Sequence, residues 1–415
     1  MNKKLAKIAL PLFIFWPFGS FLCALHNLKL KSSAIVIILF SVVFGYSFSF
    51  SDSSADSYRT AFVFSVFDFS TFDNVIAIYK QGDSPDIYRL IVYGIAKNFT
   101  NNPKVLYALC GLVFGIFMYL SMLMFSKEKE NKNDIFVILI SLFFFSLNPL
   151  SNLNGFRFWT ATWVFFYSII NFSIYNNKKW VIGIAATPLI HFSFLFIMPI
   201  VIFFYLFKGY LYSKTEISKV VFIVFIITFI LSWVLETNSF SLGFLADQDV
   251  LNSSISGKVE LYNSDRVTQN INERGTSFFH TVETIFGNTI KLYIFIIILR
   301  MRKIIMNKPD PLSVKMLAFV MVFISFGFIA KVIPSGGRFQ TIAYMAALLL
   351  FLRIYAKRPS VSLQKLTLWG VPVFSFSILF GIFFLGVLLT SSTIWYGNLV
   401  WLIIEGIGFK VHYSL

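Results

Sequence analysis

Two arginines stand where long apolar stretches begin, and each lies close to glycine. Arg157 comes two residues after Gly155, and Arg338 directly follows Gly336 and Gly337. A guanidinium binds phosphate oxygens in pairs without changing its protonation state. Glycine lets the backbone approach a ligand and leaves N–H groups free to bind it. Either arginine alone could simply reach a lipid headgroup, but together they predict a site for a phosphate or diphosphate.

One histidine lies at a break in a long apolar stretch. His191 falls within 181–207, which is too long for one upright span and contains Pro188 and Pro199. The prolines predict two short helices that meet near His191. The imidazole could act as a base or orient an arginine. The alternative is a structural hydrogen bond to a backbone carbonyl that Pro188 leaves without its helical donor.

Two more arginines lie three residues after an aspartate, at the spacing of neighbours on one helix face. The pairs are Asp56 with Arg59 and Asp86 with Arg89. They are candidates to contact a substrate. They could equally be solvated surface pairs, worth about 0.3–0.5 kcal/mol each.

Familiar catalytic motifs are absent from the sequence. It contains no nucleophile elbow, no phosphate-binding glycine loop and no His-Glu-x-x-His. Its four histidines and two cysteines, Cys23 and Cys110, form no metal-ligand or disulfide pattern. The sequence therefore predicts no metal and no cofactor, and a chemistry that depends on charge stabilisation by arginine.

The composition indicates a membrane protein. Hydrophobic residues make up 57% of the 415 residues and charged residues 13%, against about 45–50% and 25% in soluble domains. The net charge of +16 is scattered between apolar stretches, which fits loops facing anionic headgroups and argues against a nucleic-acid partner. We predict an all-α fold that forms a single membrane domain over residues 1–415.

Stretches of about 20 apolar residues mark the candidate spanning helices. With two passes through 181–207, they predict a polytopic transmembrane helical bundle of about 11–13 spans. The candidate spans are 8–25, 34–50, 105–125, 135–150, 158–175, 220–237, 285–300, 316–333, 339–355 and 366–390, with a weaker one over 393–409.

The distribution of Lys and Arg predicts which loops face the cytoplasm. Six loops on one side hold 19 of these residues, against 11 on the other side. The opposite loops, 51–104 and 238–285 among them, therefore face outward. Three N-terminal lysines fall outside on this count, against the rule, unless the first segment is interfacial. The cation-rich loops are 26–33, 126–134, 176–180, 208–219, 300–315 and 353–365.

The two long outer loops differ in their sequence patterns. In 51–104, the segments Asp56–Phe67 and Ile87–Phe99 carry apolar residues at helical spacing and predict amphipathic helices on the outer surface. Loop 238–285 is rich in Ser, Asn, Asp and Gly and predicts irregular structure. Broken helices do not recur at matching positions in two halves, which weakens a transporter interpretation.

Five short motifs, in this order and spacing, resemble those of the EpsG/Wzy type of polysaccharide polymerase, over roughly residues 30 to 345. They include an Asp/Tyr segment after the second span and an Arg-x-x-x-Ala helix start. An amphipathic loop followed by the next span, a His-x-Ser between short helices and a late arginine complete the set. The motifs are Phe44 to Tyr58-Arg59, Gly82 to Tyr88 with Asn101-Asn-Pro103, Asn154 to Ala161, Ile190-His191-Phe-Ser193 and Gly337-Arg338-Phe.

The resemblance implies a multi-pass enzyme of the bacterial inner membrane, similar in architecture to metal-independent, multi-span C-type glycosyltransferases. It would join undecaprenyl-diphosphate-linked oligosaccharide repeat units into O-antigen or exopolysaccharide at the outer face. Its partners would be that lipid-linked oligosaccharide, membrane lipid and, where one exists, a chain-length regulator protein. Arg157, His191 and Arg338 would be catalytic. The residues that bind substrate would be Asp56, Tyr58, Arg59, Asp86 and Arg89.

Three other functions remain open. A flippase or transporter of lipid-linked sugars needs charged residues deep within several helices, and the sequence has few. A membrane O-acyltransferase needs a buried histidine near an acid or amide, for which His191 is the candidate. An O-antigen ligase shares the arginine chemistry, so only an assay separates it from a polymerase.

Overall fold

The residues form helices wherever the apolar stretches require every backbone group to be hydrogen-bonded within the segment. The computed structural model describes residues 2–51, 53, 55–80, 86–128, 134–211, 217–234, 278–331 and 336–407. These residues contain no β-strand, only one isolated bridge between Phe48 and Thr390. The predicted all-α, polytopic fold is therefore confirmed.

The helices are numbered here in chain order, with 3-10 turns named by their residues. They are α1 Asn2–Phe15, α2 Pro17–Leu25, α3 Lys31–Tyr46, α4 Asp56–Val66, α5 Phe72–Lys80, α6 Ile87–Phe99, α7 Pro103–Lys127, α8 Ile135–Ser146, α9 Phe156–Ser173, α10 Val181–Ile190, α11 Met198–Leu211, α12 Ile217–Val234, α13 Phe278–Asn307, α14 Pro311–Ala330, α15 Phe339–Lys357, α16 Val361–Phe376, α17 Leu385–Leu389, α18 Thr393–Tyr396 and α19 Leu399–Gly406.

Six helical stretches among the described residues are long and apolar enough to cross a membrane. Shorter apolar helices over Lys31–Tyr46, Phe192–Phe207 and Lys219–Val234 accompany them. The six are Pro103–Lys127, Ile135–Ser173, Thr284–Asn307, Pro311–Ala330, Gly336–Lys357 and Val361–Leu389.

The stretch Ile135–Ser173 folds back on itself and makes two passes. The ring centroids of Phe144 and Phe166 are 5.4 Å apart, whereas a straight helix would separate these residues by about 33 Å. The reversal occurs at the 3-10 turn Leu150–Gly155. The two predicted spans, 135–150 and 158–175, therefore correspond to α8 and α9.

The predicted break at His191 is confirmed. α10 ends at Ile190, and His191 has an extended backbone (φ −148°, ψ 118°) before the 3-10 turn Phe192–Ile197. Phe158 at the start of α9 contacts His191, while Phe172 at the end of α9 stacks on Tyr205 of α11. Helix α10 therefore runs back beside α9 to the level of Phe158, and α11 runs away from it again.

The N-terminal segment is a helical hairpin, so the predicted single span over 8–25 is wrong. Ser20 Oγ donates a hydrogen bond to the Ala9 carbonyl oxygen at 2.5 Å, although a straight helix would place these residues about 17 Å apart. The chain reverses at Trp16, directly before the helix-starting Pro17. Both ends of the hairpin thus lie beside the start of α3, which removes the conflict that the N-terminal lysines raised.

The last predicted span, 393–409, is not formed by the described residues up to 407. The chain leaves the membrane-length stretch at Leu389 and continues as the short helices α18 and α19. At about 12 Å, the eight-residue α19 is too short to cross a bilayer. Its final Gly406 packs against Tyr46 at the end of α3.

Helices α3 and α7 pack closely because small residues face each other. A Cβ atom at Gly111 would lie 2.2 Å from the Ser41 carbonyl oxygen, and one at Gly45 would lie 2.1 Å from that of Tyr107. Such glycine contacts are typical of membrane helix pairs. This seam fixes the end of α3, from which the chain enters the surface helices.

Three surface helices lie between α3 and α7. The sequence predicts helices over Asp56–Phe67 and Ile87–Phe99, and the structure has them as α4 and α6, with α5 as a third that the sequence analysis missed. α6 buries Leu90 and Tyr93. Of the predicted loop 238–285, residues 278–285 begin α13, and the remainder lies outside the described residues.

At the opposite ends of the spanning helices, Arg353 joins three helix termini. Its guanidinium contacts Glu128 after α7 at 2.5 Å and Asp310 before α14 at 3.0 Å. Its Nε donates to Ser313 Oγ at 3.2 Å. Burial raises the pKa of the Asp310 carboxyl, but hydrogen bonds from Ser313, Arg353 and Lys357 outweigh this and lower it well below its usual value. This face holds the cation-rich loops.

Candidate active site

A cavity of about 360 Å³ opens between the surface helices, the first residues of α9 and Arg338, which directly precedes α15. It lies at the end of α15 opposite Arg353, about 22 Å away along the helix. Tyr58 and Asp86 are not among its lining residues. Six of the eight predicted site residues line it, namely Asp56, Arg59, Arg89, Arg157, His191 and Arg338.

Asp86 lies behind the cavity and holds Arg157 in place. Arg157 Nη1 is 2.6 Å from Asp86 Oδ2, and the other carboxylate oxygen accepts a hydrogen bond from the Phe192 N–H at 2.9 Å. Asp86 is 0% exposed, whereas 28% of the Arg157 side chain is exposed. Asp86 therefore forms its ion pair with Arg157 and not with Arg89, as the sequence had suggested. The reason is that Asp86, directly before α6, lies against the break after α10.

His191 sits where α10 ends and the next 3-10 turn begins. Its Nδ1 accepts a hydrogen bond from the Ser193 N–H at 3.3 Å and lies 2.7 Å from Ser193 Oγ. The histidine thus caps the turn through its own ring. This local bond fixes the ring orientation, because Nδ1 is engaged by the residue two positions later.

The Phe158 ring contacts both Arg338 and His191. The guanidinium carbon of Arg338 lies 5.6 Å from the centre of the Phe158 ring, a cation–π contact. The Phe158 ring also packs edge to face with the His191 imidazole, and the two ring centroids are 5.4 Å apart. Sequence analysis gave Phe158 no role, although it lies within the Asn154 to Ala161 motif.

Asn154 attaches the surface helix α4 to the start of α9. Its Oδ1 accepts a hydrogen bond from the Ser57 N–H at 2.8 Å. A Cβ atom on the next residue, Gly155, would lie 3.6 Å from Asp56 Oδ2 and closer still to Trp159. Asn154 was not predicted as a site residue, because a lone amide in a sequence does not reveal which backbone it will bind.

The cavity carries uncompensated positive charge. Arg59 pairs with Asp56 at 2.5 Å, and Arg157 pairs with Asp86. Arg89 and Arg338 have no carboxylate partner among the described residues, and the Arg89 Nε is buried without a hydrogen-bond acceptor there. A buried unpaired donor is costly. An anion in the cavity would balance the two positive charges that the described carboxylates leave over.

The described residues contain no cluster of three or more His, Cys, Asp and Glu side chains that could hold a metal ion. The helical bundle and this cavity define a polytopic membrane protein with an arginine-rich pocket at one membrane face.

The EpsG family model matches residues 33–398, and the chain belongs to that family. EpsG family proteins are Wzy-type polysaccharide polymerases, which act on lipid-linked oligosaccharides in a membrane. The match confirms the resemblance drawn from the short motifs. No curated protein and no solved structure matches the chain.

Proposed function

We propose that this polymerase joins undecaprenyl-diphosphate-linked oligosaccharide repeat units into O-antigen or exopolysaccharide, at the outer face of the bacterial inner membrane. The observation that carries the proposal is the cavity, in which Arg89 and Arg338 have no carboxylate partner among the described residues. A lipid diphosphate supplies at least two negative charges, and it reaches the pocket from the bilayer.

In this proposal, Arg157 and Arg338 bind the diphosphate from two sides. Both lie at the first residues of membrane-spanning helices, so they stand at the level where a lipid headgroup resides. Arg89 adds a third cation from the surface helix α6. Asp86 is a positioning residue, because its buried carboxylate sets the direction of the Arg157 guanidinium.

The reaction moves the growing glycan from one lipid carrier to the non-reducing end of another lipid-linked repeat. The acceptor hydroxyl oxygen attacks the anomeric carbon, and the bond from that carbon to the diphosphate oxygen breaks. The departing diphosphate keeps the electron pair, and the two arginines stabilise its added charge. The hydroxyl proton passes to Asp56, or to Nε2 of His191 in the tautomer that carries its own proton on Nδ1 and donates it to Ser193 Oγ.

The surface helix α4 would bind the sugar. Asp56 and Arg59 point polar atoms into the cavity and form an exposed pair that a sugar hydroxyl can join. Tyr58, on the same helix, does not line the cavity and would contact only a longer glycan that extends past its rim.

The arginine roles are tested by Arg157→Ala and Arg338→Ala in cells that make the long polymer. Each should shorten the chain-length ladder, with a loss of transfer of about 10²–10³-fold, which is typical for removal of a charge-stabilising donor. Arg302→Ala is the matched control, because Arg302 lies over Phe222 at the opposite face. Unchanged ladders at normal protein levels would contradict the proposal.

A purified system separates the alternatives. The protein is placed in liposomes with a lipid-linked repeat and no second acceptor. Polymer that forms under these conditions supports a polymerase of this substrate. Movement of the lipid-linked repeat between leaflets without new glycosidic bonds would instead indicate a flippase.

A further inference from the structure

A second cavity, of about 460 Å³, lies between α13 and α16, on the face of Arg353 and away from the arginine-rich pocket. Arg300 and Ile296 line it from α13. From α16 it is lined by Ser362, Lys365 and Trp369, which recur at helical spacing along one stripe. Two cations and an aromatic ring thus face one cleft between membrane helices.

The charges of this cleft are not balanced from within. None of the described residues that line it is acidic. The Nε of Arg300 is buried and has no hydrogen-bond acceptor among the described residues. Asp310, an acidic residue on the same face, already binds both Arg353 and Lys357. Arg300 and Lys365 therefore give the cleft two positive charges that no described lining residue neutralises.

The first turn of α16 adds neutral donors to the same cleft. Ser360 caps the helix by accepting from the Leu363 N–H. The N–H groups of Val361 and Ser362, which line the cleft, have no acceptor within the helix. Free N–H groups at a helix start favour a phosphate. They stand beside Lys365, one turn further along.

The cleft opens toward the surface that lipid covers. Trp369 is 64% exposed and Val361 is 66% exposed, and the neighbouring Leu368 is also exposed. A tryptophan beside a lysine is typical of the depth where headgroups meet acyl chains. A ligand that carries both a phosphate and apolar chains therefore fits this cleft better than a soluble anion does.

We propose that this cleft binds the headgroup of an anionic phospholipid. The Arg300 guanidinium and the Lys365 ammonium contact the phosphodiester, Ser362 and the first turn of α16 donate hydrogen bonds to it, and Trp369 packs along the glycerol and upper acyl chain. The site is separate from the polymerising cavity, at the other ends of the membrane helices.

The test is native mass spectrometry of the full chain, purified in mild detergent and supplied with phosphatidylglycerol. Wild type should retain the lipid, and the double variant Arg300→Gln/Lys365→Gln should lose about 30-fold in affinity, since each cation near a headgroup contributes about fivefold. The matched control is Lys303→Gln/Lys308→Gln, which removes two exposed cations from the same helix end and should retain the lipid. Equal retention by both double variants overturns the proposal.

Two further arms identify the ligand. Phosphatidylcholine with the same acyl chains should bind far more weakly, and equal retention would contradict the charge argument. Inorganic phosphate should not displace the lipid, whereas complete displacement would show a simple anion site. Should the double variant lose its symmetrical gel-filtration peak, the single variants Arg300→Gln and Lys365→Gln decide the matter. Each should lose about fivefold, and unchanged binding in both refutes the site.

Discussion

Replacing Asp86 by Asn tests whether the buried carboxylate positions Arg157. The carboxylate accepts two hydrogen bonds, from Arg157 at 2.6 Å and from the Phe192 N–H at 2.9 Å. An amide can keep one of these with its oxygen, but its NH₂ group then faces the guanidinium donor to donor. The substitution changes few atoms, so the shape of the site is preserved while its charge and one acceptor are lost.

The expected magnitude follows from burial. Removing one partner of a fully buried pair costs about 3–5 kcal/mol, but Arg157 is partly exposed to the cavity and can turn toward water. We therefore expect Asp86→Asn to lower the free energy of unfolding by about 2 kcal/mol, near the value of one charge-assisted hydrogen bond. A guanidinium displaced by about 1 Å should reduce polymerisation about 10²-fold.

Polymerisation rate in liposomes and thermal unfolding are both measured, for Asp86→Asn, Arg157→Lys and the double variant. Because the two residues act as a unit, the double variant should be no slower than the slower single variant. Asp68→Asn is the control, since Asp68 is exposed on the same surface segment and bonds only to near neighbours such as Ser70. The positioning role would be refuted if the rate losses of the two single variants multiplied in the double variant. It would also be refuted if Asp86→Asn kept a rate within twofold of wild type.

Four further predictions concern two glycines, the Asp310 carboxylate and the attachment of α4. Gly111→Ala should destabilise the protein by about 3 kcal/mol or more, because its Cβ would meet an α3 carbonyl at 2.2 Å. Gly209→Ala, whose Cβ would meet nothing within 4 Å, should instead stabilise it by about 0.5–1 kcal/mol. Because the folded-state pKa of Asp310 is lowered, its stabilisation should be complete above about pH 4 and be lost as the pH falls through that pKa. Asn154→Ala should cost about 1 kcal/mol and slow polymerisation, since α4 loses its bond through Ser57.

Each of these has a direct measurement. Melting temperatures of purified Gly111→Ala and Gly209→Ala should move in opposite directions, and equal shifts would disprove close packing at the α3–α7 seam. In Asp310→Asn, the melting temperature should fall less steeply with decreasing pH than in wild type. An unchanged pH dependence would disprove the role of that carboxylate. For Asn154→Ala, normal polymer length together with normal stability would show that α4 does not depend on this bond.

The sequence predicted the fold best where a single segment decides the outcome. Apolar stretches such as 105–125 specify a spanning helix whatever surrounds them, and the predicted break near His191 follows the end of α10 at Ile190, two residues after Pro188. It failed at the N-terminus, because 8–25 has the composition of a span. Only the contact of Ser20 with Ala9 distinguishes a hairpin from a straight helix.

For the candidate cavity, the sequence predicted which residues line it better than it predicted which residues pair with each other. Arginine type and glycine neighbours were enough to select Arg157 and Arg338, both of which line the cavity. The partner of Asp86 was not predicted, because the three-residue spacing favoured Arg89. The actual partner, Arg157, lies 71 residues further along the chain. Long-range pairing depends on how helices pack, which a local pattern does not contain. The same reason hid the contact between Asn154 and Ser57.

The wide sequence separation of the pocket residues has a consequence for biosynthesis. Asp86 and Arg157 lie in the first half of the chain and can pair as soon as α9 enters the membrane. Arg338 follows only after α10 to α14 have been made, a delay on the order of ten seconds or more at the usual translation rate of about 5–20 residues per second. The nascent protein therefore pairs its buried Asp86 early. It acquires a complete pocket only near the end of synthesis, once Arg338 has been made.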